Sequence, residues 1–457
     1  MKLALLRMTL PPGLHTRQMT GGPLENMPEL RISAKHESFL PHVNRVCGRR
    51  RVRAYAQQSL QADPSKRDSL LIPMKKGPSP MSNGTSLKPR DRVSMSLNHE
   101  KPDRCPMQIS FTPEFAQRLR EDMHQTGRSV HNPHGGGNTY ELERALGQDL
   151  LLTSVGWANS YYANETYAGG TDSYTDEWGV SWKNAPYETR FGAGFYTDIV
   201  GHPLADEHAV ASYRPPDPHR PELYGEAERL IAAHKSDYWI VGVTVTTIFE
   251  TAWALRGLEQ MMIDFTEDPR LAETILDIPF RYHLAAAKRL VELGVDMIWT
   301  GDDVGMQHGM MISPNAWRRF LKPRMAEFIS TLKAINPEVK IAYHSDGNIE
   351  RIIPELIEIG LDVLNPVQPA CMDPAKLKRE YGDKLCFWGC IDEQHTLPFG
   401  APDEVRAQVL ERLETVGYDG GLILSPTHHV QLDTPLENFW ALVHAIDGES
   451  GLASGLH

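Results

Sequence analysis

In the stretch "AYHSDGNI", His344, Ser345 and Asp346 follow the β-rich run Lys340, Ile341, Ala342 and precede a helix-like pattern. If the strand persists two residues further, His344 and Asp346 point the same way, because side chains alternate with a period of two. A histidine and a carboxylate so placed read as part of a metal site, as an acid/base pair, or as a cap, since Asp346 can cap a helix starting near Gly347. The same kind of residue follows the other β-rich runs: Thr246 and Phe249, Asp302 and Asp303, Asn365 and Gln368, Asp392, and Thr427, His428 and His429. Two histidines and a carboxylate make a common divalent-metal set, suited to zinc or iron with open positions. Without metal the same groups bind an anionic substrate or shuttle a proton, and imidazole titrates near neutrality.

The neighbours of this set have two uses each. Only one of the adjacent Asp302 and Asp303 can face a shared mouth. That one is a candidate to orient substrate or move a proton. The other caps a turn or meets a basic residue such as Arg318 or Arg324. Phe249, Trp253 and Trp388 offer aromatic walls or core packing, and Met306 offers a soft pocket wall or packing. Gln368, Asp392 and His429 are candidate substrate contacts. Cys390, a lone cysteine after a strand, reads as inert.

The elements that would carry these residues have a clear rhythm. The runs "DYWIVGVTVTT", "MIWTGDD", "KIAYHSD", "LDVLNPVQ", "KLCFWGCID" and "GLILSPTHH" alternate with helical patterns. Such alternation implies parallel strands joined by crossover helices. Short apolar strands of this kind are buried on both faces. Earlier strands, near Met107 and over Asp149 to Trp157, bring the total to eight. The expected fold is α/β, a (β/α)8 TIM barrel with an N-terminal elaboration, its active site at the strand C-termini. No GxGxxG loop follows a strand, which argues against an open dinucleotide-binding sheet. Before the barrel proper, a short helix is expected over Pro89 to Leu97, a strand over Pro106 to Phe111 and a helix capped by Thr112. Residues 176–194 alternate like a hairpin. "IFETAWALRGLEQMMIDF" reads as one long amphipathic helix.

Length and charge set the limits. The 457 residues carry a net charge of −12, which argues against general nucleic-acid binding. Residues 1–90 hold 16 Lys/Arg against 5 Asp/Glu, and the rest hold 31 against 54. The basic part is rich in Pro, Ser and Gly, so residues 1–85 read as a disordered, dispensable extension. Residues 86–450 form the barrel and 451–457 a tail. Five scattered cysteines without a CxxC pair suit a reducing cytoplasm. No run of 18 apolar residues is present, so no membrane span is expected.

Several longer stretches, in order, resemble the uroporphyrinogen decarboxylase (URO-D) superfamily: "LNHEKPDRCP", "TIFETAWALRGLEQMMID", "GDDVGMQHGMMISPNAWRRFLKPRM", "AYHSDGNI", "LNPVQP", "KLCFWGCIDEQHTLPFG" and "GGLILSPTHHVQLDTPLENFWALV". The resemblance covers roughly residues 89–447 and implies a (β/α)8 barrel. It allows two chemistries. True uroporphyrinogen decarboxylases are metal-free and bind an acidic tetrapyrrole through an arginine-bearing N-terminal loop and a late Gly-His-Gly histidine. His428 stands where that histidine would, but the "RQAGRY" type of loop is replaced by "CPMQISFTPEFAQRL". The corrinoid- and coenzyme M-linked methyltransferases bind zinc through a His-x-Cys and a later Cys. Here His344 is kept, and Asp346 and His428 stand at the cysteine positions. The resemblance therefore implies a divalent metal, zinc first, on His344, Asp346 and His428, with Asp302, Asp303 and His428 as catalytic groups. The expected activity is metal-assisted methyl transfer or demethylation of a small molecule, linked to a thiol acceptor or to a corrinoid on a partner protein. A porphyrin-directed carboxy-lyase and a non-catalytic binding barrel are the alternatives, and a homo-oligomer is left open.

Overall fold

The computed structural model describes residues 87–125, 139–155 and 173–448. The expectations for the extension 1–85 and the tail 451–457 lie outside these residues, as does the end of the Asp149 to Trp157 strand.

Seven strands form one parallel sheet in sequential order: β1 (Leu150–Ser154), β2 (Trp239–Val243), β3 (Met297–Gly301), β4 (Lys340–His344), β5 (Val363–Asn365), β6 (Cys386–Ile391) and β7 (Leu422–Pro426). The helices are α1 (Pro89–Leu97), α2 (Pro113–Asp122), α3 (Gly225–His234), α4 (Phe249–Arg256), α5 (Leu258–Glu267), α6 (Pro269–Leu293), α7 (Lys322–Ile335), α8 (Ile353–Glu358), α9 (Pro374–Tyr381), α10 (Pro402–Thr415) and α11 (Leu436–Asp447). Each crossover between consecutive strands from β1 to β7 contains at least one of α3 to α10, the (β/α)8 rhythm. Alternate strand residues divide between two cores. Leu152, Val241, Trp299, Ala342 and Ile423 fill the barrel interior, while Leu151, Ile240, Ile298, Ile341 and Leu424 pack outward against the helices. That division is why the strands read as continuous apolar runs.

The eighth position is held by the segment Pro106–Phe111, and it is a looser element than the expected strand. It touches β7 through a single parallel bridge, Met107 to Leu424, and the loop after β7 through another, Phe111 to Val430. On its other side the Asp149 N–H donates to the Met107 carbonyl at 2.9 Å. Where a second ladder bond would stand, the Gln148 side chain substitutes, accepting from the Ile109 N–H and donating to its carbonyl. The segment thus joins the last strand to the first and closes the barrel.

Helix α1 seals the N-terminal end. Its Val93 and Leu97 belong to the interior core. Its Arg92 donates to the fully buried Asp149 at 2.6 Å, and Arg104 donates to the other carboxylate oxygen at 2.7 Å. The Met107 N–H completes the set at 2.8 Å. Helix α2 starts as read from the sequence, with the Thr112 hydroxyl accepting from the Phe115 N–H. The hairpin is present as strands Ser181–Thr189 and Gly192–Gly201, with a third short strand, Ser173–Thr175, beside the first. The expected single helix after β2 is two. Gly257 at φ 96° ends α4 and opens α5, a backbone conformation that an amphipathic pattern alone does not reveal.

Two predictions follow from this architecture. Asp149→Ala removes the buried carboxylate that Arg92 and Arg104 share, leaving them Asp103 and Asp447, and is expected to cost about 3 kcal/mol in denaturant unfolding; a loss below about 1 kcal/mol would show the closure does not depend on it. His283 on α6 is fully buried, and burial lowers its imidazole from 6.5 to about 4 despite bonds to the Thr247 and Pro279 carbonyls. The unfolded chain takes up that proton below about 6.5 and the folded chain does not. Stability is therefore full above about pH 6.5 and falls by about 3 kcal/mol as pH drops toward 4. His283→Gln should flatten that part of the pH–stability curve.

Candidate metal centre at the barrel mouth

Register places the site. In β4, Ala342 faces the barrel interior, so His344, two residues on, faces it too. His344 lies opposite Gly301 of β3 and Asn365 of β5. The imidazole sits edge-on to Trp299, with ring centroids 5.6 Å apart, and Trp299 packs against the fully buried Trp388 at 4.7 Å. The indoles form the floor beneath the imidazole.

Two loops bring the carboxylates. The loop after β3 carries Asp303 and the loop after β4 carries Asp346. Their backbones touch where a β-carbon on Gly347 would come within 2.5 Å of the Gly305 carbonyl carbon, and Gly347 also holds φ +80°. Only glycine permits that approach. The Asn348 N–H donates to the Met306 carbonyl at 2.8 Å and the Val304 N–H to the Ser345 hydroxyl at 3.0 Å. As a result the Asp346 N–H donates to Asp303 Oδ1 at 2.7 Å, and His344 Nε2 lies 3.5 Å from the same oxygen. Asp303, His344 and Asp346 each offer one ligand atom, all within 4.8 Å of one another.

The electrostatics of this cluster are one-sided. Glu250, in the first turn of α4, is buried and accepts the Asp303 N–H at 3.0 Å. Its carboxyl is pushed well above the usual range by burial, then by the charges of Asp303 and Asp302. Asp346 is pushed well up by burial and by Asp303. Its Oδ1 is buried without a hydrogen-bond partner. Among the described residues no Lys or Arg pairs with Glu250, Asp302, Asp303 or Asp346: Arg318 pairs with Glu355 and Arg324 with Asp277. A buried group of like charges is relieved by protons or by a cation. An unpartnered carboxylate oxygen, a second carboxylate and an imidazole nitrogen converging on one point fit a divalent cation, with harder donors than thiolate.

The structure separates the adjacent aspartates as their spacing requires. Asp303 enters the cluster. Asp302 turns to the N-terminus of α4, accepting from the Ile248 and Glu250 N–H groups at 2.9 and 3.0 Å. Burial outweighs those donors and pushes its carboxyl up to about 6. His428, expected as the third ligand, is not part of the cluster with His344 and Asp346; Asp303 lies with them instead. β7 ends at Pro426, and the chain then turns so that the His428 N–H donates to Glu393 at 2.8 Å while the residue is exposed. Its ring lies 4.9 Å from that of the buried His429.

The expected substrate contacts scatter. Phe249 is fully buried and stacks on Phe265, and Trp253 packs half-buried against the outer core. Gln368 accepts the Gly347 N–H at 2.6 Å and so braces the loop of Asp346. Asp392 caps the turn after β6, accepting from the Gln394 and Thr396 N–H groups. Met306 is half-buried beside the glycine contact. Burial pushes the Cys390 thiol up to about 12, in keeping with an inert cysteine. Sequence reading passed over Glu250, because an acidic residue in a first helical turn is ordinary dipole chemistry. Asn365 stood among the strand-end residues without a role.

Comparison with known proteins agrees with this architecture. Among solved structures, a methyltransferase from Methanosarcina mazei superposes with a TM-score of 0.56 at 22% identity, over 80% of this chain and 100% of that one. That likeness is one of fold. A B12-independent methionine synthase from Shewanella sp. W3-18-1 is a more distant match, with a TM-score of 0.31 at 14% identity over 67% of this chain and 85% of that one. No curated protein sequence matches. Among the described residues no helix is long and apolar enough to cross a membrane. The family model for uroporphyrinogen decarboxylase (URO-D) matches residues 190–448, more than half of the sequence, and the chain belongs to that family.

Proposed function

We propose that this protein is a metal-dependent methyltransferase-like enzyme of the URO-D family, with Asp303, His344 and Asp346 as its ligand set. The observation that carries the reading is the convergence of three ligand atoms in an acidic cluster that, among the described residues, no Lys or Arg pairs with. A divalent ion held there supplies Lewis acidity, lowering the pKa of a bound heteroatom. The chain's own residues do the rest. Gln368 and the glycine contact fix the loop of Asp346, Glu250 fixes the backbone of Asp303, and the Trp299 and Trp388 floor keeps water from beneath the imidazole. Asp302 orients the start of α4 rather than the substrate. The substrate is a small molecule entering at the C-terminal face, and the methyl acceptor is a thiol or a corrinoid brought by a partner protein. The fold shared with the M. mazei methyltransferase supports this choice. Zinc is the first candidate ion, and the reducing cytoplasm the expected setting.

A carboxy-lyase acting on a porphyrin-like acid is the second reading, and the description of the matching family favours it. An acidic cluster repels a polyanionic substrate. Metal analysis after reconstitution with zinc, iron or manganese separates the two. Wild type is expected to retain one equivalent, while Asp303→Ala, His344→Ala and Asp346→Ala lose it and the exposed His428→Ala keeps it. Stoichiometric metal absent from folded wild type, together with turnover of uroporphyrinogen, would replace the first reading with the second.

A further inference from the structure

The His344 ring has two nitrogens, and the structure determines what each can do. Nδ1 lies 2.7 Å from Asn365 Oδ1. The Trp299 Nε1–H donates to the same Oδ1 at 3.1 Å, and Asn365 Nδ2 donates to the Trp388 carbonyl at 2.9 Å. An indole N–H can only donate and a carbonyl can only accept, so both contacts fix the same orientation of the amide. Reversing it would set donor against donor and acceptor against acceptor. The atom facing Nδ1 is therefore an oxygen with no hydrogen to give, and the hydrogen between them belongs to Nδ1.

A neutral imidazole carries one hydrogen. With it on Nδ1, Nε2 is a bare lone pair, directed at Asp303 Oδ1 3.5 Å away. Three acceptors then converge: Nε2, the Asp303 carboxylate and the unpartnered Asp346 Oδ1. Such an arrangement is costly when empty and ready for a cation. The other tautomer would place an N–H against Asp303, satisfy the ring with a hydrogen bond and withdraw it as a ligand.

We propose that Asn365 is a positioning residue that holds neutral His344 as its Nδ1–H tautomer, so that Nε2 is presented as an acceptor to the space between Asp303 and Asp346. Asn365 acts through the ring and touches no reacting atom. Its own rigidity comes from the indole floor: β3 supplies Trp299, β5 the amide and β6 the Trp388 carbonyl, so three adjacent strands set one hydrogen. The consequence for cation binding rests on the proposed metal centre; the tautomer does not.

The test reads the two separately. In metal-free protein labelled with 15N-histidine, in alkaline buffer where the ring is neutral, two-bond nitrogen–proton correlations distinguish the tautomers, and His344→Gln identifies the signals. Wild type is expected to show Nδ1–H. Asn365→Leu is expected to shift toward Nε2–H and to weaken zinc binding by about 10- to 100-fold. An Nε2–H tautomer in wild type overturns the proposal, as does a folded Asn365→Leu with unchanged tautomer and zinc affinity. If Asn365→Leu does not fold, the wild-type spectrum decides. Wild type that shows Nδ1–H but binds no zinc would remove the metal centre and leave the tautomer lock standing.

Discussion

The backbone contact between Gly305 and Gly347 is the constraint on which the site depends. A carboxylate on one barrel loop and a carboxylate on the next would ordinarily stay apart, since their mutual repulsion grows as water is excluded. Here the glycines let the two loops press together, with a would-be β-carbon only 2.5 Å from the opposite chain. Hydrogen bonds from Asn348 and Val304 lock the contact. Asp303 and Asp346 then share an N–H bond as well as a space, and Glu250 is drawn in behind them. The fold supplies the energy that holds like charges together, and the site inherits a standing demand for positive charge.

Much of this architecture could be read from the residues, for identifiable reasons. Parallel strands buried on both faces leave uninterrupted apolar runs, and six of them stood out between helical patterns. Strand period fixed His344 on the same face as Ala342, and two adjacent carboxylates could not both face the mouth; Asp302 at the α4 N-terminus and Asp303 in the cluster express that exclusion. What escaped reading was what depends on contacts between loops distant in sequence. The Pro106–Phe111 segment closes the barrel with two bridges and a glutamine side chain rather than a full ladder, a substitution no local pattern announces. The break at Gly257 hid within an unbroken amphipathic pattern. His428 followed a strand as His344 did, yet the chain after Pro426 turns it to the surface.

The exchange of Asp346 for cysteine, relative to the methyltransferases that the sequence resembles, changes more than one donor atom. A thiolate is soft and donates charge to a bound ion, whereas two carboxylates and an imidazole leave that ion a stronger Lewis acid. The neighbouring Glu250 and Asp302, both buried, crowd the cluster with further carboxyl groups without adding to the triad. In the proposed metal centre that donor set would favour an ion that polarises what it binds.

Helix α1 closes the N-terminal end of the barrel, with Val93 and Leu97 fitted into the interior and Arg92 anchored on Asp149. Above it the two indoles fill the cross-section beneath His344. Among the described residues, the barrel interior is thus filled from its N-terminal end up to the indoles. At the C-terminal face the hairpin reaches the loop after β7, with Tyr196 donating to Gln431 at 2.7 Å. A small molecule bound at the cluster would therefore approach from the C-terminal face and not through the filled N-terminal end.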